Sequence, residues 1–119
     1  EERVAHYAAC DVCVLPSLYE PFGIAALEAM SMQKPVVVGA NGTSGMREFV
    51  VPDGEAQTGI HIDPNDPADI AWGITTVLED QARAYKMGLN GRRTVLESFT
   101  WDKVTAETIR LYEDVINVS

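Results

Sequence analysis

The chain has 119 residues, of which 46% are hydrophobic and 23% are charged, and its formal net charge at pH 7 is −9. This length allows one domain at most, and it is short for a doubly wound sheet. The acidic balance argues against a nucleic-acid binder, because the phosphate backbone requires clustered Lys and Arg. No apolar run approaches the roughly 20 residues that a membrane-spanning helix needs.

The first elements in chain order predict a strand–helix–strand unit. Residues 2–9 have apolar side chains spaced for one face of a helix. The apolar run 12–16, which ends in a proline, indicates a strand that is buried on both faces of a parallel sheet. Alanine, leucine and methionine residues favour a helix over 23–32, and a turn that contains proline leads into a second strand, 36–38. The usual crossover rule makes this unit right-handed.

The second half of the chain predicts one more strand and three longer helices. Asp66 followed by Pro67 is a typical helix start, and Thr100 is placed to cap the last helix. Gly88 and Gly91 should weaken the helix that contains them. The predicted elements are a short helix 46–50, a strand 58–62, and helices 67–79, 82–98 and 101–116. The whole pattern predicts an α/β fold with about three parallel strands, flanking helices and a helical C-terminal tail.

Two carboxylates bracket the junction between the first strand and the helix that follows it. Glu20 lies in the connecting loop and Glu28 lies inside the helix, where a carboxylate is expensive to bury without a partner. Pro21 and Gly23 allow the backbone to approach a ligand closely. Open α/β sheets bind ligands at such junctions, where the N–H groups of the helix start face the ligand.

The two cysteines, Cys10 and Cys13, have the spacing of a redox pair. Redox pairs of this kind lie at a helix start, where the dipole lowers the pKa of a thiol, whereas Cys13 lies in a predicted strand. We therefore expect buried structural thiols. Two cysteines and two isolated histidines provide no metal ligand set. The cysteine usage predicts a reducing, cytoplasmic location.

Eight segments carry a resemblance to a known family. They are, in order, YAACDVCVLPS at 7–17, EPFG at 20–23, LEAM at 27–30, KPVVV at 34–38, GTSGMRE at 42–48, PDG at 52–54, TGI at 58–60 and SFTW at 98–101. In this order they resemble the retaining glycosyltransferases with two Rossmann-like domains, the group that includes glycogen, sucrose and mannosyl transferases. Because the segments run over almost the whole chain, the resemblance does not depend on one motif.

The resemblance implies a domain assignment. Residues 1–119 would be part of the C-terminal, nucleotide-sugar-binding domain, the second half of a Rossmann-like three-layer fold of about six strands. The N-terminal domain, the upstream half-domain and a basic pair that binds phosphate would lie outside this fragment. The fragment alone should then be inactive.

The resemblance also implies a reaction and a set of donor-binding residues. The reaction would be retaining transfer of a hexose from a nucleoside diphosphate sugar to an acceptor hydroxyl, with no cofactor and no metal. Glu20 would contact the donor sugar near the reacting carbon, and Glu28 would bind the ribose hydroxyls. The backbone of Pro21, Phe22, Gly23 and Ile24 would face the diphosphate or sugar, and Gly42 and Thr43 would contribute from the glycine-rich loop.

Each of these roles has an ordinary structural alternative. Glu20 could be a loop glutamate or a helix-capping carboxylate, and Glu28 could be a solvated helix position. The loop 42–45 departs from the two adjacent glycines of many relatives, which leaves its contacts equally open to ordinary loop chemistry. The alternative function is a non-catalytic α/β nucleotide-binding or assembly module. An NAD-dependent oxidoreductase is disfavoured, because the G-x-G-x-x-G fingerprint is missing.

The apolar surfaces of the last helix and of the first strand predict self-association. The strand would present an unpaired edge to a second copy. The helix carries an apolar stripe that could pack partly against segments outside this chain: Trp101, Val104, Leu111, Tyr112 and Val115. The aromatic residues Trp72, Phe99 and Trp101 are predicted to belong to the core rather than to a ligand-stacking surface.

Overall fold

The computed structural model describes residues 1–118 and contains a three-stranded parallel sheet in the order β1-β2-β3. The strands are β1 (Cys13–Leu15), β2 (Val36–Gly39) and β3 (Gly59–Ile62). The register pairs Val14 with Val37 and Val37 with Ile60. All strand carboxyl ends therefore lie at one edge of the sheet, as the predicted parallel arrangement requires.

The described residues contain five α-helices at the places that the sequence predicts. They are α1 (Glu2–Ala9), α2 (Ile24–Ser31), α3 (Pro67–Glu79), α4 (Gln81–Ser98) and α5 (Trp101–Val118), with a short 3-10 helix at Gly45–Glu48. The predicted fold class, parallel strands with flanking helices and a helical tail, is confirmed. No helix within the described residues combines the length and the apolar character that crossing a membrane requires.

The start signals of the C-terminal helices act as predicted. The Asp66 carboxylate accepts a hydrogen bond from the Ala68 N–H at 2.9 Å, and Pro67 begins α3. The Lys103 N–H donates to the Thr100 hydroxyl at 3.2 Å at the start of α5. Asp80 alone separates α3 from α4, and its carboxylate accepts from the Arg83 N–H at 3.0 Å. Each cap satisfies a helix N–H that would otherwise lack a partner.

The core lies on both faces of the sheet, because consecutive side chains of β2 point to opposite sides. Val36 and Val38 pack on one face, and Val37 packs on the other. The first face carries the buried side chains Ala26, Ala29, Met30, Met46, Phe49 and Val50. The second carries Ile60, Ile62, Val77 and Met87. Apolar burial on both sides explains why the strands read as continuous hydrophobic runs.

The two glycines of α4 have a packing role that helix propensity does not reveal. α4 is continuous through both of them. A Cβ on Gly88 would overlap the carbonyl oxygen of Gln33 and come within 2.8 Å of its carbonyl carbon, and one on Gly91 would lie 3.3 Å from the Met30 side chain. The glycines allow α4 to lie against the end of α2, so the cost in helix propensity is offset by close packing.

The surfaces that predict self-association are exposed in this structure. β1 pairs with β2 on one edge, and no strand of the described residues pairs with its other edge. The side chains of α5 are exposed along its whole length. The expectation that Trp72 and Trp101 belong to the core is wrong, because they are 54% and 84% exposed. Apolar character permits burial without requiring it. Self-association stays a prediction.

Candidate functional site

The loops that follow β1 and β2 meet at the carboxyl edge of the sheet. Glu20 and Ser44 form an isolated parallel bridge, and the Gly45 N–H donates to the Glu20 carbonyl oxygen at 2.7 Å. This bridge brings Glu20 beside the loop 42–45, which contains Gly42 and Thr43. A parallel sheet puts both loops at the same edge, but their direct pairing comes from the tertiary structure.

Gly45 makes the close approach of the two loops possible. A Cβ at this position would overlap the carbonyl oxygen of Pro21 and come within 2.9 Å of the Phe22 Cα. Both contacts are with backbone, which cannot retreat as the end of a flexible side chain can. Gly42, in contrast, has a φ of +55° and open space around its Cβ direction. The loop therefore needs glycine at 45 for space and at 42 for backbone conformation.

Helix α2 begins at Ile24, shortly after Glu20, and its N-terminus has no side-chain cap. Gly23 is its N-cap residue, with a φ of +110°, and no side chain caps the helix. The Gly23 carbonyl oxygen accepts from the N–H groups of Ala26 and Leu27. The N–H groups of Ile24 and Ala25 have no acceptor inside the helix, as for every helix start. These donors and the positive end of the helix dipole favour an anion.

The Phe22 side chain has a structural contact that its predicted backbone role did not include. Its ring centroid lies 5.4 Å from that of Phe49 and 5.9 Å from that of Phe99, and the latter two are 5.6 Å apart. Such tilted pairs stabilise aromatic clusters beyond simple area burial. The three rings join the α2 start, the 3-10 helix region and the end of α4. Phe99 packs against the core, as predicted.

Glu28 has a partner inside the chain. Its Oε2 lies 3.1 Å from Nε of Arg3 in α1, and about a third of its side chain is exposed. Glu28 lies inside a helix, as predicted. Its carboxylate has a partner, as expected, but the sequence did not identify Arg3 as that partner. No local signal identifies Arg3, because the pair depends on how α1 packs against α2.

Tyr7 completes the polar group around Glu28. The Tyr7 hydroxyl donates to the Ala25 carbonyl oxygen at 3.4 Å. Burial raises the pKa of the Tyr7 hydroxyl, and the negative charge of Glu28 raises the pKa further. Tyr7 therefore stays protonated and acts as a hydrogen-bond donor at neutral pH.

A cavity of about 490 Å³ runs along the exposed side of α2. Three of the predicted donor-binding residues line it, namely Phe22, Ile24 and Glu28. The other lining residues are Leu27, Ser31, Val95, Phe99, Trp101 and Val104. The remaining predicted site residues, Glu20, Pro21, Gly23, Gly42 and Thr43, are not among those that line it. The structure thus divides the predicted residues between the bridged loops and the cavity along α2.

Cys10 and Cys13 are free and half-buried rather than fully buried. Burial raises the pKa of the Cys13 thiol to about 11, and Cys10 adds to the rise. This is the opposite of the lowered thiol pKa that redox pairs use. Within residues 1–118, no three His, Cys, Asp or Glu side chains are grouped so that they could hold a metal ion.

We expect Cys13 to be a slow nucleophile in the folded chain. Because the thiolate reacts, a pKa near 11 should make alkylation by iodoacetamide at pH 8 roughly a hundredfold slower than in urea. The rate should rise about tenfold per pH unit up to about pH 11. Peptide mass mapping of the folded and the unfolded chain measures both rates. Equal rates in the two states would contradict the raised pKa.

Comparison with known proteins identifies the family. The model for glycosyl transferases group 1 matches residues 1–94. The glycosyltransferase MJ1607 of Methanocaldococcus jannaschii is 40% identical over 107 residues, which cover 90% of this chain and 26% of that protein. The MMP alpha-(1->4)-mannosyltransferase of Mycolicibacterium hassiacum is 35% identical over 116 residues, which cover 98% of this chain and 27% of that protein.

A solved structure agrees with these sequence relatives. Sucrose-phosphate synthase from Thermosynechococcus elongatus has a TM-score of 0.83 to this chain at 38% identity, and the match covers 96% of this chain and 27% of that one. The chain spans about a quarter of the length of the curated relatives that it matches. The resemblance inferred from the eight motif segments is confirmed, and the chain belongs to the group 1 glycosyltransferases.

Proposed function

We propose that this chain is the nucleotide-sugar-binding part of a longer retaining glycosyltransferase. The longer protein transfers a hexose from a nucleoside diphosphate sugar to an acceptor hydroxyl, and the chain belongs to its C-terminal domain. The observation that carries the proposal is the bridge between Glu20 and Ser44. The bridge fixes the loop that contains Glu20 beside the uncapped N-terminus of α2, at the sheet edge where α/β folds bind ligands.

In this proposal the start of α2 binds the diphosphate. A protein with a net charge of −9 has no general attraction for an anionic donor, so the attraction must be local. The free N–H groups of Ile24 and Ala25 supply part of it. A basic pair from a segment outside this chain supplies the rest. The same groups stabilise the leaving diphosphate as negative charge develops on it.

The two carboxylates have different tasks. Glu20 has neither a hydrogen bond nor an ion pair to its carboxylate among the described residues, so its two oxygens can accept from sugar hydroxyls. Glu28 is held by Arg3 through Oε2 and lines the cavity along α2. Its other oxygen can accept from a ribose hydroxyl. Glu20 therefore orients the sugar near the reacting carbon, and Glu28 anchors the nucleotide.

Titration of the longer protein with UDP-, GDP- and ADP-hexoses tests the proposal. One of the donors should bind, and it should be slowly hydrolysed or transferred, in the presence or absence of EDTA. A protein of matched size with no nucleotide site serves as the control for heat that the titration releases without specific donor binding. Binding of a donor without hydrolysis or transfer would favour the non-catalytic nucleotide-binding module instead. Strict dependence on Mg²⁺ or Mn²⁺ would contradict the metal-independent mechanism.

A further inference from the structure

The Ser44 hydroxyl is a buried polar group without a hydrogen-bond partner. Ser44 is 2% exposed, and its Oγ has no donor or acceptor within reach in the described part of the chain. A buried hydroxyl without a hydrogen bond costs free energy. Alanine would fill the same space without that cost. We therefore expect the hydroxyl to gain a hydrogen-bond partner in another state of the site.

The backbone bridge points to the Glu20 carboxylate as that partner. Residues that pair directly on neighbouring parallel segments project their side chains from the same face. Glu20 and Ser44 form such a pair. The bond from the Gly45 N–H to the Glu20 carbonyl oxygen, and the contact of Gly45 with the Pro21 backbone, keep the two segments in register. The two side chains thus stay on one side of a fixed pair of segments.

The chemistry of the two groups is complementary. A serine hydroxyl can donate one hydrogen bond, and an ionised carboxylate only accepts. A hydrogen bond from a hydroxyl to a carboxylate is short and strong compared with a neutral one. The carboxylate of Glu20 also lacks a partner among the described residues.

We propose that Ser44 is a positioning residue for Glu20. When the Glu20 carboxylate engages the donor sugar, Ser44 Oγ donates to one carboxylate oxygen and leaves the other directed at the ligand. Ser44 acts through Glu20 because its Oγ is closed off from solvent, so an entering ligand meets Glu20 first. The inference rests on the proposed function and adds to it a residue that acts through Glu20.

A double-mutant cycle in the longer protein tests this inference. Ser44→Ala should lower kcat about tenfold, the size of one charge-assisted hydrogen bond, with little change in the KM for the donor. In a Glu20→Gln background, the effect of Ser44→Ala on kcat should be much smaller, because the charged acceptor is already lost and only a neutral amide oxygen remains. Ser44→Ala should also raise the melting temperature, because it removes an unpartnered buried hydroxyl. Ser98→Ala, at an exposed position of α4, is the matched control.

Four outcomes would overturn the inference, and they separate it from the proposed function. If Ser44→Ala leaves kcat of an active wild type unchanged, or if its effect adds fully to that of Glu20→Gln, Ser44 does not act through Glu20 and only this inference fails. If the wild type neither transfers nor hydrolyses any donor, the proposed function fails and the inference falls with it. A loss of melting temperature with Ser44→Ala at wild-type kcat would assign the hydroxyl a structural role alone.

Discussion

Glu20→Gln in the longer glycosyltransferase should lower kcat about a hundredfold or more, with only a modest change in the KM for the donor. The carboxylate lies in the loop that the bridge to Ser44 holds against the start of α2. Glutamine keeps the shape of the side chain and removes its charge and half of its accepting capacity. In the proposed role, the contacts of Glu20 near the reacting carbon strengthen in the transition state, so their loss should appear in kcat. Initial rates over a range of donor concentrations measure both parameters.

Glu28→Gln should affect donor binding more than kcat, in contrast to Glu20→Gln. We expect a raised KM for the donor and a smaller change in kcat, because the nucleotide is bound to the same extent before and during the reaction. The variant also weakens the ion pair with Arg3, which is largely exposed and contributes little to stability. Glu97→Gln, an exposed glutamate on α4, is the matched control for charge. Wild-type kcat and KM in both site variants would overturn the assignment of the two roles.

Gly88→Ala should destabilise the chain by about 2 kcal/mol or more, although alanine is the better helix former. Helix propensity alone predicts a gain of about 1 kcal/mol. The added Cβ would overlap the carbonyl oxygen of Gln33, a backbone atom, so α4 must move away from the end of α2. The contact between these helices also covers the buried Met30. Urea denaturation followed by circular dichroism measures the change in the free energy of unfolding.

Gly91→Ala is the matched control for this prediction. It lies in the same helix, and its added Cβ would meet the Met30 side chain at 3.3 Å. A side chain can shift by a few tenths of an ångström, so the packing cost should be offset by the gain in helix propensity of about 1 kcal/mol. We expect a change within about 1 kcal/mol of zero. If Gly88→Ala were as stable as Gly91→Ala, the close approach of α4 to Gln33 would not limit this position.

The sequence predicts most of the secondary structure because its signals are local. The apolar runs of β1 and β2 are bounded by prolines and turn residues, and the helix start at Asp66 depends on a carboxylate two residues from the N–H that it accepts from. The position of Glu20 before the start of α2 is equally local. The motif segments, read in order, also identify the family before any contact is known. The individual roles of the predicted site residues stay predictions.

The tertiary structure alone determines which distant residues meet. The ion pair between Arg3 and Glu28, and the bridge that joins Glu20 to Ser44, link segments that no periodicity connects. Helix propensity alone predicts that alanine at position 88 stabilises the chain, whereas the close approach of α4 to Gln33 predicts the opposite. Trp101 is exposed despite its apolar character. Local preference follows from a few neighbouring residues, whereas these contacts follow from how helices and loops pack across the sheet. Packing depends on shape and space over the whole chain, which composition and spacing do not specify.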